Sequence, residues 1–180
     1  MINKINFVTG NQGKITEAKE ILEIEIVPVK IEQLDEIQTN DPLECVSKKA
    51  ISAYNFLKKP VLVDDTSLFF SSLSGLPGVF IDYFMDALGN GGLLRLLANE
   101  KDRAAIAQTS LCYFDGKKSL VVFGKVQGKI SKVEKGENGF GWDAIFIPDG
   151  SKKTFAEMTS QEKNKISMRK LALEQLKKLL

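Results

Sequence analysis

Residues 4–65 alternate between short apolar runs of strand type and amphipathic runs of helix type. Such alternation confines a chain to α/β architectures built around parallel strands. Ile5, Phe7 and Val8 form the first strand-like run, and Ile15, Ala18, Ile21 and Leu22 give the next run its helical spacing. "EIEIVPVK" alternates as a half-buried strand does, and residues 42–58 predict a helix with Asp41 as N-cap and Pro42 at its first position. "PVLVDD" reads as a short buried strand of the parallel kind, ending in two acids. "SGLPGVF" then reads as a turn, and "IDYFMDAL" and "GLLRLLANE" as helical. In the second half, "AAIAQTSLCYF", the "DGKK" turn, "LVVFGKV" and "GKISKVE" predict an antiparallel meander, "DAIFIP" one further strand, and the C-terminus a helix. No linker, repeat or low-complexity tract interrupts the 180 residues. The expectation is one α/β domain over 1–180, with two lobes around a cleft and a mixed, partly long-stranded sheet flanked by helices.

The chain contains no histidine. That removes Ser-His-Asp and Cys-His catalysis and every histidine-ligated zinc or iron site. Acid–base chemistry falls to carboxylates or lysines, and a metal falls to oxygen ligands, hence to a hard cation such as Mg²⁺. Cys45 and Cys112 are isolated and read as buried thiols of a reducing compartment. The net charge is only +2, with Lys and Arg dispersed, which argues against a general nucleic-acid or membrane-surface role. Apolar runs such as "SLVVF" and "AIFIP" are far too short to span a bilayer. The first residues lead into a strand without a signal-peptide pattern, so a cytoplasmic protein is expected.

The turn Thr9-Gly10-Asn11-Gln12-Gly13-Lys14 admits two readings. A strand, two glycines and a helix start aim backbone N–H groups at one spot, which suits a phosphate, yet glycine also punctuates ordinary strand-to-helix corners. A Walker A loop needs four residues between its glycines and a Ser or Thr after the lysine. Here two residues separate Gly10 from Gly13 and Ile15 follows Lys14, so the loop is of another kind. Asp64 and Asp65 project to opposite sides if their strand continues, at the edge where α/β sheets bind ligands; a strand-end turn is the plainer alternative. Glu36, in the polar loop "LDEIQ", is either a solvated acid or an oxygen partner of Asp65 for one Mg²⁺.

In "ENGFGWDAIF", Phe140 and Trp142 offer stacking faces for a base and Asp143 an acceptor for a ring N–H, or else the aromatics pack inward. Lys14, Lys49, Lys163 and Arg169 are cations near these motifs, each also explicable as a solvated charge. On one continuous helix Lys163 and Arg169 would stand about 240° apart. Thr159 with Glu162 forms a capping box for a first short helix, and Ser167 can cap a second, 168–179, with a stripe of Leu171, Leu173, Leu176 and Leu179. A break at Ser167 would let the two cations converge on one site.

"FVTGNQGK", "DEIQ", "KKA", "VDDTS", "SGLPGVF", "FGWDAIFIP" and "TFAEMTSQEKNKIS" with the following Arg169 occur in this order across nearly the whole chain. In this combination the chain strongly resembles the inosine triphosphate pyrophosphatase family, which hydrolyses non-standard purine nucleoside triphosphates; "FGWD" with "TFAEM" and "EKN" is the specific part of the match. The resemblance implies a cytoplasmic, Mg²⁺-dependent homodimer that converts ITP, dITP or XTP to the monophosphate and pyrophosphate. By the matching motifs, Thr9, Gly10, Asn11, Gln12, Gly13 and Lys14 are expected to bind phosphates. Glu36 and Asp65 are expected to bind the metal, with Asp65 accepting the proton of the attacking water. Lys49, Thr66 and Lys163 are expected to contact the nucleotide. Within Phe140-Gly141-Trp142-Asp143, Phe140 is expected to stack on the base, while Asp143 and Arg169 read its edge.

Two positions depart from the family pattern. Ser167-Met168-Arg169 stands where the family usually reads Ser-His-Arg, and Asp82 stands where it usually places a Lys or Arg. Both bear on substrate recognition rather than on the metal centre. A Maf-type nucleotide pyrophosphatase is the nearest alternative, and it lacks "FGWD" and the "EKN" segment. A nucleotide-binding protein without turnover is opposed by the intact Glu36, Asp64 and Asp65. An RNA-binding module finds no aromatic-basic motif here.

Overall fold

The alternation of the first 65 residues folds into three parallel strands with helices between them. In the computed structural model, which describes residues 3–32, 34 and 37–180, β1 (Lys4–Val8), α1 (Gln12–Leu22), β2 (Glu25–Val29), α2 (Pro42–Leu57) and β3 (Val61–Phe70) follow one another. β1 pairs in parallel with β2 over its whole length and with β3 through Asn6–Val8 against Val61–Val63. Asp41 caps α2 as expected, its side chain accepting from the N–H groups of Leu43 and Glu44.

β4 (Pro77–Gly78), α3 (Ile81–Leu96), β5 (Ala104–Phe114), β6 (Ser119–Ile130), β7 (Phe146–Pro148), α4 (Ser160–Asn164) and α5 (Met168–Lys177) complete the order. The sheet runs β2-β1-β3-β5-β6-β7, with β4 on β3, and β4 and β7 pair antiparallel, so the sheet is mixed. Three readings change. β3 does not stop at its two acids but runs to Phe70, because Leu68 and Phe70 continue the buried alternation and β4 pairs with Leu68 and Phe69. The segments "LVVFGKV" and "GKI" are one strand, β6, rather than two limbs of a meander. The buried face of α5 is Met168, Arg169, Ala172, Leu173 and Leu176, while Leu179 is 48% exposed. α3 kinks at Gly89 (φ 62°, ψ −178°), a backbone region open essentially to glycine alone, between the two helical stretches that the sequence separates.

The chain divides into two compact units. Unit 1 comprises Met1–Asp65, Thr109–Gly124 and Met168–Leu180. On one face of its strands, Ile5, Phe7, Leu62 and Leu111 pack with Ile15, Ala18 and Leu22 of α1 and Ala172, Leu173 and Leu176 of α5. On the other face, Val8, Val61, Val63 and Cys112 pack with Val46, Ala50 and Ala53 of α2. Each buried Val, Leu, Ile or Phe among them contributes about 1.5–3 kcal/mol. A one-residue slip of β3 would send every one of its side chains to the wrong layer, so the register is held firmly.

Unit 2 comprises Thr66–Gln108 and Lys125–Ser167. Arg103 ties it together by donating to the carbonyls of Leu97 (2.7 Å), Ile130 (2.8 Å) and Ser131 (2.6 Å). Phe146 packs between Trp142 and Phe155, with ring centroids 5.7 and 5.2 Å away. The capping box at Thr159 and Glu162 forms as expected. Among the described residues no helix is long and apolar enough to cross a membrane.

Candidate functional site

At the end of β1 the Thr9 N–H donates to the Val29 carbonyl (3.0 Å), which holds the turn against the end of β2. Thr9 Oγ1 then accepts from the Asn11 N–H (3.1 Å), and Asn11 Oδ1 accepts from the Lys14 N–H (3.2 Å) as the N-cap of α1. Gly10 has no positive φ, and a Cβ placed on it would meet nothing within 4 Å. The corner therefore does not require glycine; what the missing side chain leaves is exposed backbone. Gln12 and Gly13 carry N–H groups of the first helical turn, where an anion is favoured. The turn borders a pocket of about 250 Å³ whose polar lining is Thr9, Gly10, Lys14, Lys30, Lys49 and Asp64.

The alternation of β3 sends Asp64 with Leu62 toward α1 and α5, and Asp65 with Val63 toward α2. Lys14 Nζ donates to Asp64 Oδ1 (3.1 Å), and Arg169 Nε donates to Asp64 Oδ2 (3.3 Å). Arg169 Nη1 donates to Glu17 Oε2 (3.0 Å). Lys49 Nζ stands 3.8 Å from Asp65 Oδ1. Burial pushes the Asp64 carboxyl up, but Lys14, Arg169 and Lys49 outweigh it and hold the group below the usual carboxylate range. Burial likewise disfavours the Arg169 charge, and Asp64 and Glu17 more than reverse this. The unit thus carries a buried network of acids and cations, and among the described residues the pocket beside it is lined by three lysines and by one carboxylate, Asp64, shared between two cations.

Glu17 is a member of this network that sequence reasoning misses. The available signal lies in α5, where Arg169, Ala172, Leu173 and Leu176 follow the i, i+3, i+4, i+7 pattern of a buried stripe. A guanidinium on that stripe requires buried acids as partners, and Glu17 and Asp64 supply them.

The remaining expected residues belong to unit 2. Lys163, only 5% exposed, donates to Asp143 Oδ2 (2.6 Å) and lies over the rings of Phe140 (4.6 Å) and Phe155 (5.5 Å). Asp143 Oδ2 also accepts from the Phe140 N–H (2.8 Å). Gly139, at φ +76°, allows this approach, since a Cβ there would fall 2.2 Å from that oxygen. The two aromatics part company: Trp142 is buried, whereas Phe140 is 37% exposed. Gly141 follows at φ 60°, and Thr66 stands half-buried on β3.

The helix break expected near Ser167 is present, between α4 and α5. Lys163 and Arg169 nevertheless have different acid partners, Asp143 for the first and Glu17 with Asp64 for the second. Met168 is buried at the start of α5. Asp82 is exposed in the first turn of α3, where the helix dipole favours a carboxylate. Glu36 lies outside the described residues.

These features define an α/β protein with a lysine-lined pocket at the ends of parallel strands and an aromatic–acid–lysine cluster in its second unit. The chain belongs to the Ham1 family, whose model matches residues 5–179. It is 45% identical over 177 residues to the inosine triphosphate pyrophosphatase of Yarrowia lipolytica, covering 97% of this chain and 94% of that one. It is 40% identical over 181 residues to the dITP/XTP pyrophosphatase of Saccharolobus solfataricus, covering 98% and 93% of the two chains. The structure of a HAM1 protein from Coxiella burnetii matches with a TM-score of 0.85 at 30% identity, over 99% of this chain and 98% of that one. The family expected from the order of the motifs is the family found.

Proposed function

We propose that this chain, a nucleoside-triphosphate pyrophosphatase, hydrolyses ITP, dITP and XTP to the monophosphate and pyrophosphate. The observation that carries the reading is its identity of 40–45%, over nearly its whole length, to relatives named for those substrates. The residues of the site supply the chemistry. Thr9 to Lys14 and Lys49 hold the phosphates through backbone N–H groups and ammonium charges. Asp65 takes the proton of the water that attacks the α-phosphorus, the bond to the bridging oxygen breaks, and pyrophosphate leaves against Lys14 and Lys49. Asp64 is unsuited to that task, because two cations bind it and hold its carboxyl in the ionised form.

The donor set fits a hard cation. Asp65 and Glu36 offer oxygen only, the chain has no imidazole, and burial pushes the Cys112 thiol up and away from its thiolate. Asp65 and Glu36 would hold Mg²⁺, which supplies Lewis-acid neutralisation of phosphate oxygens when bound. In unit 2 the exposed face of Phe140 stacks on the base. Asp143 accepts from the ring N–H, and Lys163 keeps that carboxylate in place. The same reading includes Thr66 and Arg169 as nucleotide contacts and a homodimer working in the cytoplasm.

Phosphorus NMR of ITP turnover with Mg²⁺ tests the reaction. The expected products are IMP and intact pyrophosphate, with no turnover in a chelator; IDP and orthophosphate as first products would overturn it. A panel adding XTP, dITP, ATP, GTP and pyrimidine triphosphates separates the alternatives. A pyrimidine preference would favour the Maf-type reading, and binding without hydrolysis would favour a protein without turnover.

The burial of Met168 makes its departure from the family pattern a matter of packing. Met168→His places an imidazole where an apolar side chain is enclosed, and the unmet polar groups should destabilise the fold by about 1–3 kcal/mol. The ratio of kcat/KM for ITP over ATP should stay unchanged. Thermal unfolding and kinetics with both nucleotides check this. A widened preference for ITP at unchanged stability would return position 168 to base recognition.

A further inference from the structure

The pocket of unit 1 contains a lysine that no motif assigns. Lys30 follows β2 directly, and two features bring its backbone beside the phosphate turn: the pairing of Val8 with Val29, and the bond from the Thr9 N–H to the Val29 carbonyl. It lines the pocket together with Thr9, Gly10, Lys14, Lys49 and Asp64. The other two lysines lie deep and beside acids, their side chains 16% and 18% exposed and set against Asp64 and Asp65. The Lys30 side chain is 74% exposed and stands 4.0 Å from Glu32, itself 84% exposed. An ion pair so exposed contributes little, and a polyanion displaces it readily.

We infer that Lys30 is a further phosphate-binding residue, which holds the terminal phosphates of the triphosphate and the pyrophosphate that is released. The inference rests on the hydrolase reading above and deepens it. The inner lysines meet the phosphates nearest the reacting acids, and Lys30, on the open rim, meets the phosphates farthest from them. An ammonium placed there raises the pull on a multiply charged anion while adding nothing for a monophosphate seated deeper. Being exposed, the contact is screened by salt.

The test compares wild type, Lys30→Gln and Lys30→Arg at one Mg²⁺ concentration. It measures kinetics with ITP, inhibition by inorganic pyrophosphate and by IMP, and the melting temperature. Lys30→Gln is expected to raise KM for ITP and the inhibition constant of pyrophosphate by about 2- to 5-fold. The IMP constant and the melting temperature should stay unchanged, and Lys30→Arg should restore most of the loss. The pyrophosphate effect should shrink as ionic strength rises. Unchanged KM and pyrophosphate inhibition in Lys30→Gln would overturn the assignment, as would equal losses for pyrophosphate and IMP. If wild type hydrolyses no triphosphate, the hydrolase reading fails by itself. Calorimetric titration of the protein with inorganic pyrophosphate then still decides Lys30: equal affinity in wild type and Lys30→Gln overturns it.

Discussion

Asp65→Asn should lower kcat by about 10²-fold or more while the protein stays folded. The carboxamide keeps the shape of the carboxylate, so the packing of β3 against α2 is retained. It cannot accept a proton at neutral pH. Its neighbour does not replace it, because Asp64 faces the opposite layer, bound to Lys14 and Arg169. The measurements are kcat with ITP, at Mg²⁺ concentrations raised until the rate is level, and circular dichroism of both proteins. Persistence of the loss at saturating Mg²⁺ separates proton transfer from weakened metal binding. Near-normal turnover in the folded variant would move the base to Glu36 or Asp64.

Arg169→Met should destabilise the fold by about 3–5 kcal/mol, because removing one partner leaves the others buried and uncompensated. For a domain of this size that is roughly 6–20 °C in melting temperature. Methionine keeps the helix propensity and the apolar stem of the side chain, so the loss reports chiefly the guanidinium and its hydrogen bonds to Glu17 and Asp64. Arg169→Lys should recover part of it, since an ammonium keeps the charge but not the planar fork.

The pH dependence has a definite sign. The Asp64 carboxyl is held below its ordinary value in the folded protein. Its contribution is therefore present above the unfolded pKa of about 3.9 and is lost as pH falls through the lower folded value. Without Arg169 the folded pKa rises toward the ordinary one, so acid unfolding of Arg169→Met should begin at higher pH than in wild type. An unchanged melting temperature together with an unchanged acid midpoint would remove Arg169 from the account of stability.

Much of the site is legible locally. The bonds that start α2 and α4 join residues at most three apart, so Asp41 and the Thr159–Glu162 pair announce their helices without tertiary help. The two-residue period of a strand already separates Asp64 from Asp65, whatever packs on either side. The glycine turn, too, shows its strand-to-helix layout in eight residues, although the sequence leaves open whether it is a ligand loop or a plain corner. The structure bears on that choice by showing that Gly10 is not needed for the bend.

What the chain pattern by itself determined is the parallel βα order, the caps at Asp41 and Thr159 and the restriction of its chemistry to carboxylates, lysines and arginine. Which cation meets which acid was decided only by tertiary structure. Glu17 and Arg169 are 152 residues apart, Asp64 and Arg169 105, and Asp143 and Lys163 20. Those encounters depend on sheet order, on strand register and on which layer each helix covers. The same holds for the length of β3, which continues past its acids because β4 arrives to pair with it. It holds for Phe140 and Trp142, two aromatics two residues apart of which Trp142 is buried and Phe140 exposed. Local propensity acts over a few residues, whereas burial is settled by what the rest of the chain brings alongside.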